Sequence, residues 1–85
     1  MERLGLIAGN GRFPILFAQS AKAKGIEIIA VAIEGEASPE IDQYVDKLYW
    51  VGVAKMGKMI RTLKGEHIEK AVMAGGLTKS HIHSR

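Results

Sequence analysis

Leu4-Gly5-Leu6-Ile7-Ala8-Gly9-Asn10-Gly11-Arg12-Phe13-Pro14 is the stretch whose reading decides the fold. The apolar run Leu4–Ala8 stops at Gly9 and Gly11, which suits a short buried strand. Pro14 stands where a first helical turn begins, because proline lacks an N–H that would be unpaired there anyway. Ile15 to Lys24 continues as a helix, and Gly25 sits where a left-handed residue closes one. The rest of the chain repeats this alternation. Ile26-Glu27-Ile28-Ile29-Ala30-Val31-Ala32 is nearly all apolar, the mark of a strand covered on both faces. Ser38-Pro39 reads as an N-cap and first-turn proline opening a short helix toward Tyr44. Leu48–Val51 is a third strand. Met56, Met59, Ile60 and Leu63 recur at helical spacing opposite Lys55, Lys58, Arg61 and Lys64, predicting an amphipathic crossover helix that Gly65 ends. Ala71–Ala74 is a fourth strand, broken by Gly75-Gly76. Strands alternating with helices imply a parallel sheet with right-handed crossovers. The expected fold is a Rossmann-like α/β domain, four strands in the order 3-2-1-4.

Eighty-five residues, 47% of them hydrophobic and 25% charged, make one small globular domain spanning 1–85. The longest apolar run, Ile28–Ile33, falls far short of the roughly 20 residues that cross a bilayer. No secretory leader is evident in Met1–Arg12. Without cysteine there is neither a disulfide framework nor a thiolate metal site. A cytoplasmic protein is the default expectation. The net charge of +3 is mild. Its lysines and arginines are scattered over helical surfaces, which argues against nucleic acid and leaves an anionic ligand or peripheral membrane contact. The chain stops soon after strand four, where another helix should start. We therefore expect a truncated piece, or a domain that needs a partner, with an open sheet edge that favours weak stability or a homo-oligomer.

Open parallel sheets bind ligands beyond the carboxyl ends of their strands, where strand order reverses. With order 3-2-1-4 that crevice lies between strands one and four. It collects Gly9–Pro14 and Gly75-Gly76-Leu77-Thr78-Lys79. Glycines admit ligand atoms to backbone N–H groups, and the N-terminus of the Pro14 helix favours phosphate. Arg12 offers a bidentate grip and Lys79 a second cation. The dinucleotide fingerprint G-x-G-x-x-G is incomplete, since Pro14 replaces its third glycine. Glu34, at the end of strand two, is placed as a ribose acceptor would be. The alternative is that these glycines only make tight turns. His81 and His83 lack a third ligand and read as a tail rather than a metal site. His67 reads as a solvated loop residue, Met56 and Met59 as core filler, and Tyr49 and Trp50 as strand packing. Asp42, Asp46, Glu34 and Glu36 are paired with no base or nucleophile. No catalytic constellation emerges.

Across whole segments, the chain resembles a known family. Gly5–Pro14, Ala32-Ile33-Glu34-Gly35-Glu36-Ala37, Tyr49-Trp50-Val51 and Val72-Met73-Ala74-Gly75-Gly76 are similar to the LpxI-type UDP-2,3-diacylglucosamine pyrophosphatases of lipid A biosynthesis. The likeness runs from about Arg3 to Lys79. Asn10 departs from it, standing where a third small residue of a glycine triplet is expected. The resemblance implies a longer, two-domain, cytoplasmic hydrolase that converts UDP-2,3-diacylglucosamine to UMP and 2,3-diacylglucosamine 1-phosphate. It implies substrate held between the domains, at the inner face of the membrane. It also implies a divalent metal, magnesium for choice, whose ligands belong with the catalytic carboxylate to the C-terminal domain. No catalytic residue and no metal ligand is then expected in this chain. Gly11, Arg12, Gly75 and Gly76 carry over as substrate contacts, with Asn10, Thr78 and Lys79 behind them. Two other readings compete: a free-standing nucleotide- or phosphate-binding module without catalysis, and a fragment whose loops bind nothing.

Overall fold

A computed structural model describes residues 2–77. Thr78, Lys79, His81 and His83 lie outside the described residues. The elements are β1 (Arg3–Ala8), α1 (Phe13–Ala23), β2 (Glu27–Ile33), a 3-10 helix (Pro39–Tyr44), β3 (Lys47–Val51), α2 (Met56–Gly65) and β4 (Ala71–Ala74). The strands form one sheet in the order β3-β2-β1-β4. All three pairings are parallel, with Leu6 opposite Ala30, Ala8 opposite Ala74 and Ala30 opposite Leu48. The expected fold and strand order are those observed.

The apolar content of each strand explains its place. Ile28 to Ile33 in β2 are at most 1% exposed, as a strand sandwiched between two layers requires. Alternation then sorts the side chains onto two faces. Leu6, Ala8, Ile28, Ala30 and Ala74 meet Ile15, Ala18 and Ala21 of α1 and Ile41 of the 3-10 helix. On the other face Ile29, Val31, Ile33 and Val51 meet Met59 and Leu63 of α2. Pro14 is buried in the first turn of α1, and Ser38 Oγ accepts from Glu40 N–H at 3.1 Å, the expected cap. Asp46 also serves the backbone, its carboxylate accepting from Ile28 N–H at 2.8 Å.

Gly65 is the last residue of α2, where the helix was expected to end, and the left-handed conformation that closes it falls two residues on, at His67 with φ +60°. The bonds Ile68 N–H to Leu63 O and His67 N–H to Lys64 O complete a Schellman closure. α1 closes in the same way with Gly25, at φ +75°. Met56 and Ile60 are not core residues: they are half exposed, whereas Met59 is fully buried. Trp50, on edge strand β3, is 40% exposed.

A polar cluster closes the amino end of the sheet. Glu66 accepts from Tyr49 Oη–H and from Lys47 Nζ at 2.9 Å, while Arg3 Nη1 donates to Glu66 O at 2.7 Å. Arg3 Nε lies 3.3 Å from Glu27. The hydrogen bonds from Tyr49 and Lys47 hold the Glu66 carboxyl below its ordinary pKa. The same bonds raise the Lys47 ammonium and the Tyr49 hydroxyl above theirs.

Candidate functional site

Three loops meet at the carboxyl ends of β1, β2 and β4. Gly9 N–H donates to Ala74 O at 2.9 Å, and Asn10 N–H to Gly76 O at 2.8 Å. Asn10 and Gly76 thereby form an antiparallel bridge that extends the β1–β4 pairing past the strand ends. The Asn10 side chain fastens the junction from both ends. Its Oδ1 accepts from Gly76 N–H at 3.2 Å, and its Nδ2 donates to Glu36 Oε1 at 3.0 Å. Glu36, on the loop after β2, is 8% exposed. One carboxamide thus ties together segments 26 and 66 residues distant in sequence.

The glycines serve this close approach. A Cβ on Gly9 would overlap Gly76 O. At Gly75, φ is +90°, and a Cβ would stand 2.5 Å from Asn10 O and 2.8 Å from Pro14 Cγ. The first and fourth strand loops are therefore zipped at backbone level. Gly11 differs. Its φ of +88° demands glycine, yet among the described residues nothing lies within 4 Å of where a Cβ would be, so its outer face is open to them. Arg12 follows at the start of α1 with its side chain 66% exposed and Nη1 3.9 Å from Glu40 Oε1. Among the described residues no side chain caps this helix, and its first turn holds no acidic residue. An uncapped helix start has N–H groups directed outward and a partial positive charge, which suits an anion.

Sequence-derived candidates thus divide. Asn10, Gly75 and Gly76 join in the inter-loop clasp, and Gly76 N–H is directed to Asn10. Gly11 and Arg12 form the open rim above it. Thr78 and Lys79 fall outside the described residues. Glu34 is exposed, with Oε1 3.5 Å from the Cβ position of Gly52 after β3, one strand further from the glycine loop than Glu36. Glu36 is the residue that sequence reasoning passed over. Its signal was Asn10 itself, an amide in a loop otherwise built from glycine. Two shallow cavities of about 240 and 330 Å³ lie at the other end of the sheet, around Gly25–Glu27 and Arg3–His67, and are remote from these loops.

A parallel sheet with its glycine loops and a basic helix start at the carboxyl edge defines a Rossmann-like α/β domain. The chain belongs to the LpxI N-terminal domain family, whose profile matches residues 3–85. It is similar to the UDP-2,3-diacylglucosamine pyrophosphatase LpxI of Caulobacter vibrioides, with 30% identity over 79 residues. That match covers 93% of this chain and 28% of the relative, so the chain spans little more than a quarter of its length. A segment of the alanine–tRNA ligase of Pseudomonas fluorescens is also 30% identical over 79 residues, covering 93% of this chain but only 9% of that enzyme.

Proposed function

We propose that this chain is the substrate-binding N-terminal part of a hydrolase that cleaves the pyrophosphate of UDP-2,3-diacylglucosamine to UMP and 2,3-diacylglucosamine 1-phosphate. Family membership supports the pathway, and the name of the Caulobacter relative, a UDP-2,3-diacylglucosamine pyrophosphatase, supports the substrate. The observation that carries the reading to particular residues is the open rim of Gly11 and Arg12 at the uncapped start of α1. Backbone N–H groups there, with one exposed guanidinium, would neutralise a diphosphate without supplying an acid, base or nucleophile. Among the described residues no three His, Asp or Glu side chains gather into a metal site. The metal and the catalytic groups are assigned to a C-terminal domain. A lipid-linked substrate places the work at the cytoplasmic face of the membrane. Among the described residues no helix is long and apolar enough to cross it.

The test is calorimetric titration of UDP into the 85-residue protein and its Arg12→Ala variant. Loss of a charge-assisted hydrogen bond is worth about 1.5–3 kcal/mol, so affinity should fall by roughly 10- to 150-fold. Orthophosphate binding with equal avidity would favour a general phosphate module, and no binding of either would leave the loops without a ligand. Unchanged UDP affinity in Arg12→Ala would remove the rim from the site.

A further inference from the structure

The single asparagine of the chain, Asn10, is followed by Gly11. In this dipeptide a backbone amide attacks the side-chain carboxamide with least hindrance, because glycine sets no Cβ beside its nitrogen. Neither aspartate shares the feature, since Asp42 precedes Gln43 and Asp46 precedes Lys47. The reaction needs only water and base. Gly11 N loses its proton and bonds to Asn10 Cγ, Nδ2 leaves as ammonia, and a cyclic succinimide results. Water then opens the ring at either carbonyl. Cleavage of the Cγ–N bond leaves aspartate. Cleavage at the backbone carbonyl leaves isoaspartate, whose main chain runs through the side-chain methylene.

The folded loop exposes one reactant and holds the other. Gly11 is exposed, and among the described residues its N–H makes no hydrogen bond. Asn10, by contrast, is held at every polar atom. Its N–H donates to Gly76 O at 2.8 Å and its carbonyl accepts from Gly76 N–H at 3.4 Å, a bridge that fixes the backbone. Its Oδ1 accepts from Gly76 N–H at 3.2 Å, and its Nδ2 donates to Glu36 Oε1 at 3.0 Å. Ring closure requires Asn10 to turn about its Cα–C bond until Gly11 N swings toward Cβ. The carboxamide must also fold back onto that nitrogen. Both rotations break the clasp. We propose that Asn10 is a site of spontaneous deamidation held in check by Glu36 and Gly76, and that its conversion to aspartate or isoaspartate undoes the clasp irreversibly. Aspartate meets the Glu36 carboxylate with no donor. Isoaspartate also lengthens the backbone where it must pair with Gly76. This inference stands whether or not the ligand is UDP.

The 85-residue protein is aged at mildly alkaline pH, both folded and in urea above its midpoint. Isoaspartate is measured with an isoaspartyl methyltransferase and a labelled methyl donor, and mass mapping places it in the sequence. Glu36→Ala, Glu36→Gln and Met59→Ala are aged alongside without urea, the last as a core variant that loosens the fold but leaves the clasp intact. The unfolded chain should deamidate at Asn10 at least ~10-fold faster than the folded wild type, because the clasped amide reacts only through local opening. Glu36→Ala should also exceed the wild type by at least ~10-fold, and exceed Met59→Ala. Glu36→Gln, which keeps an acceptor for Nδ2, should stay closer to the wild type than to Glu36→Ala. Aged wild-type protein, separated by its added negative charge, should unfold at lower urea than fresh protein. Equal rates in the folded and unfolded chain would overturn the proposal. So would a Glu36→Ala rate no faster than that of Met59→Ala, or an aged acidic fraction as stable as fresh protein. The comparisons of folded with unfolded and of aged with fresh protein need no variant, and they decide the matter if Glu36→Ala does not fold.

Discussion

Replacing Asn10 by Asp sets two carboxylates where a carboxamide now meets one. In the native loop Asn10 Nδ2 donates to Glu36 Oε1 at 3.0 Å while Oδ1 accepts from Gly76 N–H at 3.2 Å. Asn10→Asp keeps the acceptor and removes the donor. Loss of a hydrogen bond to a charged group costs about 1.5–3 kcal/mol. Two unit charges about 3 Å apart also repel by roughly 5–6 kcal/mol at an effective dielectric near 20. The pair escapes that repulsion by taking up a proton, which at pH 7 costs about 4 kcal/mol for a carboxyl of ordinary pKa near 4. Side-chain rotation relieves part of this, so the expected destabilisation is about 2–4 kcal/mol at pH 7. The sign with pH follows. The variant's pair has a raised pKa when folded, so the folded state binds more protons than the unfolded state and the deficit shrinks toward pH 5.

Urea unfolding, followed by the fluorescence of the single tryptophan, Trp50, measures the loss. With a slope of about 1 kcal/mol per molar urea for so small a domain, the midpoint should fall by about 2–4 M. The double variant Asn10→Asp with Glu36→Gln reverses the polarity of the bond: the new amide donates to the new carboxylate. It should recover most of the loss, with a coupling of at least ~1.5 kcal/mol. If Asn10→Asp fails to fold, recovery of cooperative unfolding in the double variant supplies the same measurement. A single-variant cost below about 0.5 kcal/mol, or a double variant no better than the single, would refute the clasp.

Gly65→Ala should raise stability by up to about 0.5–1 kcal/mol, because Gly65, the last residue of α2, keeps a negative φ and among the described residues has nothing within 4 Å of its Cβ position. A loss in urea unfolding would instead show that the closure of α2 needs glycine at this position. Met59→Ala should cost about 2–5 kcal/mol and Met56→Ala no more than about 0.5, since Met59 is 0% and Met56 50% exposed; equal costs by the same assay would contradict the packing. Because Tyr49 and Lys47 lower the folded pKa of Glu66, its contribution is present above the ordinary carboxylate pKa and lost as pH falls through the lowered one. Thermal melts across the acid range should show the wild type losing more stability there than Glu66→Gln, and parallel curves would deny the cluster that role.

Strand order was legible because each apolar run is short, glycine-bounded and alternates with helical spacing. Those local signals and the right-handed rule left few arrangements. The end of α2 at Gly65 was legible, but the left-handed residue that closes it was not. Glycine is the cheapest left-handed residue, but the Schellman bonds of Ile68 and His67 depend on where the backbone must turn to reach β4. That demand is tertiary, and His67 bears it. Met56 and Ile60 share the spacing of Met59 and Leu63. Periodicity shows which residues lie along one side of a helix, not how wide a strip the sheet beneath it covers. At the site, loop positions and basic residues could be read from sequence, whereas the Asn10–Glu36 bond could not. Its partners are 26 residues apart in aperiodic loops.

That bond changes how the carboxyl edge should be approached. At a switch point, the expectation is a crevice opening between the loops of the two strands that flank the reversal. Here Gly9 N–H donates to Ala74 O and Asn10 pairs with Gly76 across that line, and a Cβ at Gly9 or Gly75 would not fit between the two loops. Glycine at these positions brings backbone to backbone. The conformational demand at Gly11 is separate, and among the described residues nothing lies within 4 Å of its Cβ position. An anion bound at this edge would therefore sit over Gly11 and the first turn of α1, with the clasp beneath as a rigid floor. Arg12 is suited to follow such a ligand because its guanidinium is largely exposed and its contact with Glu40, at 3.9 Å, is a surface pair that contributes little when exchanged. Substitutions in the floor should thus act on stability and loop position together, and substitutions on the rim on affinity alone.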